Sequence, residues 1–549
     1  MFVGVLKTFR ESRWRWLLAA LAALCWTLAF PKAAVAGLGW LVAPLLLLAT
    51  AGLSGREAFR WGFIAGFLHK LSSLYWLIYI PFPAGAITGW IALSAFFALL
   101  TGGWCWLCWY LWPGSALLTT PRSRHAALSE YAAPGVAARM HWMLAAAALW
   151  VTTEWMQGWL LTGFPWNFLG ASQQRMTPLI QIASITGVHG VSFLMVWVGL
   201  SLGSSLTLLL HDPKRWAWRW ELVFPFAVEA VVIWFGFVQM FRPMKVRGEI
   251  TAALIQPSIP QLLLWDGKET PKRFARMLEH SGMAMNSKPS VIVWPEASLP
   301  AISEEQFRAL TEFASSNRVW MILGADDAKA KSDQARDGYY YFNAALMLNP
   351  EGKVAGIYHK RHLVPFGEFV PFADWLPFLS RWLPIGDGFK AGKTVELFRL
   401  KNPDVVVAPL ICFEDVFARE SREAAQSDVD ILLNLTNNGW FGESAAQWQH
   451  AQAAAFRAIE TGLPLIRCTN NGLTCWIDPL GRFMDIFGTT GEAVYGEGFK
   501  VVRAPLLTKS NLPRTFYRAH GDLFTRACLA GSVVILFLCW NRKRKTKAA

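Results

Sequence analysis

The feature that most constrains this chain is a series of long apolar stretches, most of them in its first 245 residues. A helix that crosses a bilayer needs about 20 mostly apolar residues. Eight stretches fit this requirement, and we expect each to form a transmembrane helix: 14–30, 34–53, 61–80, 84–112, 143–161, 179–210, 222–241 and 523–540. The chain is 54% hydrophobic and contains 30 Trp, a residue that favours membrane–water interfaces. This composition excludes an ordinary soluble protein.

Lys and Arg are concentrated in alternate connections between these stretches and in both tails. They are Lys7, Arg10, Arg13, Arg15, Arg56, Arg60, Arg122, Arg124, Arg139, Lys214, Arg215, Arg219, Arg542, Lys543, Arg544, Lys545 and Lys547. The opposite short connections offer only Lys32 and Arg175. The positive-inside rule therefore predicts cytoplasmic termini and an extracytoplasmic segment from about residue 242 to 522. The net charge of +14 is spread along the chain, which favours anionic lipid over nucleic acid as its partner.

The first apolar stretch has two interpretations. Its basic start, its apolar middle and the small residues Ala34-Val35-Ala36 fit a cleavable signal peptide as well as a retained span. Cleavage would remove one helix without moving the large outer segment across the membrane. The expected number of about eight transmembrane helices assumes that this span is retained.

Residues 249–510 differ from the rest, because short β-type runs alternate there with helical stretches and turns. The predicted strands are 250–256, 290–294, 319–323, 344–349, 354–358, 405–411, 430–435, 465–469 and 474–478. The predicted helices are 268–286, 303–316 and 445–461. Mixed strands and helices indicate a layered α/β domain. We therefore expect a transmembrane domain at 1–245, an extracytoplasmic domain at 246–510, and a last transmembrane helix with a basic tail at 511–549.

Three strand ends in this domain carry reactive side chains. Glu296 follows the strand 290–294, Lys360 follows 354–358, and Cys412 follows 405–411. Taken singly, they could be a solvated cap, a surface lysine and a core cysteine. Together they could form a site in which Cys attacks as the nucleophile, Glu accepts its proton and Lys stabilises an oxyanion.

Longer motifs around these residues resemble a known superfamily. Trp294-Pro295-Glu296, the run from Tyr358 to Glu368 (YHKRHLVPFGE) and Ile411-Cys412-Phe413-Glu414 are similar to the nitrilase superfamily, whose triad is Glu-Lys-Cys. Further motifs, at 437–442 (NNGWFG), 447–450 (QWQH) and 469–472 (TNNG), resemble the apolipoprotein N-acyltransferase family. The resemblance covers nearly the whole chain. It implies about eight transmembrane helices plus a nitrilase-like α-β-β-α sandwich.

The resemblance also implies roles for individual residues. Glu296 matches the general base, Lys360 the catalytic lysine and Cys412 the nucleophile. Supporting or substrate-binding positions are matched by Glu368, Glu414, Trp440, Phe413, Asn343 and Trp265. Phe413 cannot donate a side-chain hydrogen bond, so only its backbone N–H could hold an oxyanion.

The activity implied by the resemblance is lipoprotein maturation in the bacterial inner membrane. A phospholipid would give its acyl chain to Cys412 as a thioester, and the N-terminal amine of a diacylglyceryl-cysteine lipoprotein would then accept it. No metal or other cofactor is expected. A membrane-tethered amidase or nitrilase is the alternative enzyme. A non-enzymatic lipid-binding or transport protein is disfavoured, because the spans hold few ionisable residues, of which Glu154 is the main one.

Four smaller features leave alternatives open. The apolar, Pro-rich segment 369–384 is interpreted as a lid or membrane-dipping arm rather than as core. His359, His362 and His450 are expected to pack or form hydrogen bonds rather than to transfer protons. Cys105-x-x-Cys108 is expected to pack rather than to bind metal. If Asn471-Gly472 forms a two-residue hairpin turn, Cys468 and Cys475 lie opposite each other and could form a disulfide, although free thiols are favoured.

Overall fold

A computed structural model gives the fold of the protein and describes residues 2–114, 132–211, 216, 218–264, 268–330, 338–371, 388–426, 428–488, 494–508 and 515–548. The described helices are α1 (Phe2–Leu28), α2 (Val42–Thr50), α3 (Gly55–Ser73), α4 (Pro83–Leu111), α5 (Val136–Gln157), α6 (Thr177–Ile180), α7 (Ala183–Thr186), α8 (Val188–His211), α9 (Trp218–Phe241), α10 (Thr270–Ala284), α11 (Glu304–Asn317), α12 (Ala418–Ala424), α13 (Ala446–Thr461), α14 (Phe516–His520) and α15 (Leu523–Ala548). The chain divides into two compact units, Met1–Arg242 with His520–Ala549, and Pro243–Ala519.

The first unit is helical, and small residues let its helices approach closely. A Cβ atom at Gly62 of α3 would lie 2.5 Å from the Cys105 sulfur of α4, so only glycine fits this contact. Cys105 and Cys108 are both buried free thiols. Within the described residues, no group of three or more His, Cys, Asp or Glu side chains could hold a metal ion. Both thiols are buried in the helical unit, and Cys105 packs against Gly62 of α3.

Four described helices are long and apolar enough to cross a membrane, against the eight that were expected. They are Pro83–Leu111, Val188–Leu210, Trp218–Phe241 and Leu523–Lys545. Three further helices, α1, α3 and α5, have 27, 19 and 22 residues, but polar and charged side chains lower their hydropathy. The apolar helix at Ala36–Thr50 is shorter.

Glu154 of α5, the ionisable residue expected within the spans, is buried and has local partners. Its Oε1 atom accepts hydrogen bonds from the Leu169 backbone N–H at 2.7 Å and from the Trp150 indole at 2.9 Å. The sequence prediction missed a second buried charge, Lys70 of α3, which is 3% exposed. Its Nζ atom lies 3.4 Å from Oε1 of Gln157.

The second unit contains two six-stranded sheets. The first has the order β12-β1-β2-β3-β4-β5 and the second β11-β10-β9-β8-β7-β6. The strands are β1 (Val246–Gln256), β2 (Val291–Val293), β3 (Trp320–Ala330), β4 (Tyr339–Leu348), β5 (Val354–His359), β6 (Phe398–Leu400), β7 (Val405–Ile411), β8 (Ile431–Thr436), β9 (Leu465–Thr469), β10 (Cys475–Ile477), β11 (Phe483–Met484) and β12 (Gly498–Leu507).

Alternating residues of these strands build separate apolar layers. Ile250, Ala252 and Leu254 of β1 face a core that both sheets share, whereas Ala253 and Ile255 face α10 and α11. The second sheet in the same way packs its outer face on α12 and α13. The order of layers is therefore helix, sheet, sheet, helix, as the resemblance implied.

The hairpin between β9 and β10 differs from the register that a two-residue turn would give. Cys475 pairs with Arg467 rather than with Cys468, because five residues separate the two strands. Since a shift of one residue turns a side chain to the opposite face of a sheet, Cys468 lies in the core between the sheets and Cys475 in the outer layer. Both are free thiols, which confirms the favoured interpretation and excludes the disulfide alternative.

Candidate active site

The site is built where three strands end. The strands β2 and β5 run in the same direction within the first sheet, so Glu296 and Lys360 emerge at the same edge. Cys412 directly follows β7 of the second sheet. Gly324 of β3 lets the chain pass close to the glutamate, because a Cβ atom there would lie 2.4 Å from the Pro295 carbonyl oxygen and 2.6 Å from the Glu296 Cα atom.

Two buried carboxylates converge on one buried ammonium group. The Nζ atom of Lys360 lies 2.9 Å from Oε1 of Glu368 and 3.3 Å from Oε1 of Glu296. Asn343 bridges the same two oxygens, since its Nδ2 atom donates to Glu296 at 2.9 Å and to Glu368 at 2.8 Å. The Asn437 backbone N–H donates to the other Glu296 oxygen at 2.9 Å. Every one of these residues is less than 10% exposed, so the cluster is closely surrounded by protein.

The charges within this cluster keep the lysine protonated. Burial by itself lowers the pKa of Lys360, but the carboxylates of Glu296 and Glu368 outweigh burial, and the pKa stands well above its ordinary value. Lys360 is therefore a fixed positive charge rather than a proton donor. A fixed cation can stabilise an oxyanion without changing its own protonation state.

Cys412 occupies a strained backbone position beside this cluster. Its φ of +55° lies in the left-handed region, which a residue with a side chain rarely adopts outside functional sites. Burial raises the pKa of its thiol, the carboxylates of Glu296 and Glu368 raise it further, and Lys360 and a hydrogen bond from Thr436 lower it only in part. The group at rest is therefore a neutral thiol, which needs a base to become a nucleophile.

Glu414 ties the cysteine turn to the lysine loop. Its Oε1 atom accepts the backbone N–H groups of Arg361 at 2.6 Å and His362 at 3.0 Å. Its Oε2 atom accepts the Ile411 backbone N–H at 2.7 Å and the Tyr358 hydroxyl at 2.9 Å. Glu414 is fully buried, and burial raises the pKa of its carboxyl. Its hydrogen bonds therefore connect the residues next to Lys360 with those next to Cys412.

The other predicted residues either lie near the cluster without a hydrogen bond to it among the described contacts, or lie outside the described residues. Phe413 is 8% exposed, and its ring lies 5.8 Å from Nζ of Lys360. Trp440 is half-buried in the 3-10 turn Asn438–Phe441. Trp265 and residues 372–384 of the apolar segment lie outside the described residues, so the lid hypothesis stays a prediction.

The three histidines have structural partners. His359 lies 2.7 Å from Oδ2 of Asp327, and His362 packs on the Phe417 ring with 3.9 Å between ring centroids. His450 lies 2.6 Å from Oδ1 of Asp415, whose other oxygen pairs with Arg467. None of these contacts links a histidine to Glu296, Lys360 or Cys412.

Two residues that contact or neighbour the cluster were not predicted as site residues, although Asn437 begins the motif at 437–442. Asp326 of β3 is the register partner of Asn343, so both side chains lie on the same face of the sheet. Burial and the charges of Glu296 and Glu368 raise the pKa of Asp326 to about 7. Asn437 supplies a backbone donor to Glu296. A pattern of alternating residues opposite Asn343 could have identified Asp326, but only once the strand register was known.

Comparison with known proteins first gives the class of each unit. Residues 251–495 match the carbon-nitrogen hydrolase family, so the unit with the two sheets is a domain of that class. Residues 22–201 match the N-terminal domain of apolipoprotein N-acyltransferases. An amidase from Nesterenkonia sp. is similar at 16% identity and a TM-score of 0.35, covering 50% of this chain and 98% of its own, which is too distant to support an inference.

Full-length relatives then give the family. The apolipoprotein N-acyltransferase of Geobacter metallireducens is 30% identical over 534 residues, 96% of each chain. That of Vibrio vulnificus is 32% identical over 93% of this chain and 94% of its own. That of Rickettsia prowazekii is 30% identical over 78% of this chain and 80% of its own. This chain belongs to the apolipoprotein N-acyltransferase family.

Proposed function

We propose that this chain transfers a fatty acyl group from a membrane phospholipid to the N-terminal amine of a diacylglyceryl-cysteine lipoprotein. The observation that carries this proposal is the convergence of Glu296, Glu368 and Lys360 beside a strained, neutral cysteine in a member of this family. A thiol beside a carboxylate base and a fixed cation suits acyl transfer through a thioester.

In the first half-reaction, Glu296 takes the Cys412 proton as the sulfur attacks the sn-1 ester carbonyl of the phospholipid. Once protonated, Glu296 no longer carries the negative charge that raises the pKa of the Cys412 thiol. Proton transfer to Glu296 therefore makes the thiolate easier to form. Lys360 and the Phe413 backbone N–H stabilise the oxyanion of the tetrahedral intermediate. The C–O bond then breaks, Glu296 returns its proton to the leaving oxygen, and a lysophospholipid departs from the acyl-enzyme.

In the second half-reaction, the uncharged α-amine of the lipoprotein attacks the thioester carbonyl. Glu296 accepts a proton from the attacking nitrogen, the C–S bond breaks, and that proton returns to the Cys412 sulfur. The products are an N-acylated lipoprotein and the free enzyme. Glu368 and Asn343 take no proton in this scheme, because their hydrogen bonds hold Lys360 and Glu296 in place. The scheme uses no metal or other cofactor.

Charge and hydropathy support a particular arrangement in the bacterial inner membrane. In the proposed topology, the four helices that meet the criteria for a span, the helices α1, α3 and α5, and the segment around the shorter apolar helix Ala36–Thr50 are assigned to the eight crossings. Residues 1–245 form the transmembrane domain, 246–510 the extracytoplasmic catalytic domain, and 511–549 the last span and cytoplasmic tail. Both termini lie in the cytoplasm, where the Lys and Arg residues of the connections are retained.

The acceptor separates an acyltransferase from a membrane-tethered hydrolase. The purified chain is given a phospholipid labelled in its sn-1 acyl chain, with a diacylglyceryl-cysteine peptide whose amine is either free or acetylated. An acyltransferase moves the label to the free-amine peptide alone. A hydrolase releases labelled fatty acid at equal rates with both peptides, and a lipid-binding or transport protein leaves the phospholipid intact. The Cys412→Ala variant controls for contaminating lipases.

A further inference from the structure

A groove of about 660 Å³ opens on the side of the helical unit. Its walls come from α4, α5, α8 and α15, and include Leu111, His141, Ala145, Phe193, Cys528 and Gly531. Its lining is almost wholly apolar, with His141 at one end. The volume falls within the range of about 300–1,000 Å³ that is typical of small-molecule sites.

The contacts between helices fix the two ends of the groove. Trp155 near the end of α5 donates to Asp522, just before α15, at 3.2 Å. The opposite end of α15 reaches α4, where Lys543 donates to the Tyr110 backbone carbonyl at 2.7 Å. The helices α5 and α15 are therefore antiparallel, and the groove runs from Phe193 and Phe524 at one end to Leu111 and His141 at the other.

Positive charge is concentrated at the second end. The Lys543 ammonium lies 3.9 Å from the centroid of the Tyr110 ring, one residue from the groove wall at Leu111. Arg542 and Arg544 flank Lys543 on the same helix. On the topology proposed above, this end lies at the cytoplasmic leaflet, where anionic headgroups attract basic segments.

We propose that this groove is a binding site for one anionic phospholipid, distinct from the acyl donor. Its acyl chain lies along Ala145, Cys528 and Gly531, and its phosphate lies at the Lys543 and His141 end. The bilayer interior is as apolar as the groove, so chain burial alone does not select an occupant. Selection comes from the charge, because a headgroup with net negative charge complements Lys543 and its neighbours.

The chain offers a matched pair of substitutions to test chain binding. Gly531 lies on the groove wall, and Gly103 of α4 lies outside the groove lining. At both positions a Cβ atom would have no other atom within 4 Å. Gly531→Leu therefore fills the groove without a clash, and Gly103→Leu adds the same side chain elsewhere. A second pair of substitutions tests the charge. Lys543→Gln removes the charge at the end of the groove, and Lys545→Gln removes one at an exposed position two residues further along the helix.

All variants are made in a Cys412→Ala background, so that acyl transfer consumes no lipid. Each is delipidated in a mild detergent, mixed with phosphatidylglycerol or phosphatidylethanolamine, and examined by native mass spectrometry. The parent and Gly103→Leu should each retain one bound phospholipid. In Gly531→Leu, the fraction of protein that carries this phospholipid should be at least fivefold lower. The ratio of bound phosphatidylglycerol to bound phosphatidylethanolamine should fall about fivefold in Lys543→Gln. It should be unchanged in Lys545→Gln.

Three results would overturn the proposal. Equal lipid retention by Gly531→Leu and Gly103→Leu would show that the groove binds no lipid chain. Equal retention of phosphatidylglycerol and phosphatidylethanolamine by the parent would show that the groove does not select an anionic headgroup. A parent that retains no lipid would show that the groove is not a phospholipid site. None of these results depends on acyl transfer, so the proposed function stands or fails separately.

Discussion

The Glu414 carboxylate accepts a 2.6 Å hydrogen bond from the Arg361 backbone N–H, the peptide group next to Lys360. Glu414 is itself two residues from Cys412, so this one bond connects the loops that carry the proposed nucleophile and its cation. Replacing Glu414 with Gln should lower acyl transfer about 100-fold, because an amide NH₂ cannot accept the N–H and O–H groups that surround it, and a misplacement of about 1 Å is enough for such a loss.

The measurement is the rate of label transfer together with the melting temperature. Glu423→Gln is the control, because Glu423 pairs with Arg361 and Arg419 nearer the surface, where an ion pair contributes at most about 1 kcal/mol. A Glu414→Gln variant with native activity would show that the lysine and cysteine loops keep their positions without the carboxylate.

A second prediction concerns the close approach of β3 to the proposed base. Gly324→Ala places a methyl group against Pro295 and the Cα atom of Glu296, so the glutamate should shift and acyl transfer should fall about 10- to 100-fold. Gly248→Ala in β1 makes the same change where no atom lies within 4 Å, and its activity should be native. Similar rates for the two variants would contradict a positioning role for Gly324.

The reactivity of Cys412 should change in opposite directions when its two charged neighbours are neutralised. The Glu296 carboxylate raises the pKa of the thiol and Lys360 lowers it. At pH 8, Glu296→Gln should therefore increase the rate of Cys412 alkylation by iodoacetamide, because that rate follows the fraction of thiolate at equilibrium. The same substitution should abolish acyl transfer, which needs Glu296 to carry the proton. Lys360→Met should decrease the alkylation rate. Peptide mass spectrometry identifies the alkylated residue, and the reverse order of rates would refute this electrostatic account.

Asp326 should make the domain less stable as the pH rises towards neutrality. Burial and the neighbouring carboxylates raise its pKa to about 7 in the folded state, above its ordinary value near 3.8. Between these two values the folded chain binds more protons than the unfolded chain, so the contribution of Asp326 to stability is present at low pH and is lost as pH approaches 7. Asp326→Asn should therefore stabilise the domain more at pH 8 than at pH 5, by about 1 kcal/mol in the free energy of unfolding after solvent screening. The check is the melting temperature of the variant and the native chain at both pH values. A gain that is the same at both pH values would contradict the raised pKa.

The parts of the site that follow strands could be predicted from sequence, since a buried strand and the residue after it form a local pattern. Glu296, Lys360 and Cys412 all lie at such ends. The pairing of Asp415 with His450 and Arg467 could not be predicted, because the partners lie 35 and 52 residues away and no local pattern joins them.

The errors in the fold have equally physical causes. β12 was missed because Lys500, Arg503 and Pro505 interrupt its apolar character, which an edge strand tolerates. The favoured interpretation of Cys468 and Cys475 as free thiols is confirmed, whereas the disulfide alternative is excluded because a five-residue loop shifts the register by one residue. Fewer helices met the criteria for a span than apolar stretches had suggested, because α3 and α5 carry charged side chains that the unit buries, such as Lys70 and Glu154.

The measurement that tests the central claim most directly is the intact mass of the protein after incubation with phospholipid, compared with that of Cys412→Ala. The native chain should gain the mass of one fatty acyl group, hydroxylamine should remove it, and a diacylglyceryl-cysteine peptide with a free amine should discharge it. The Cys412→Ala chain should gain nothing. An adduct on both chains, or on neither, would contradict a thioester at Cys412.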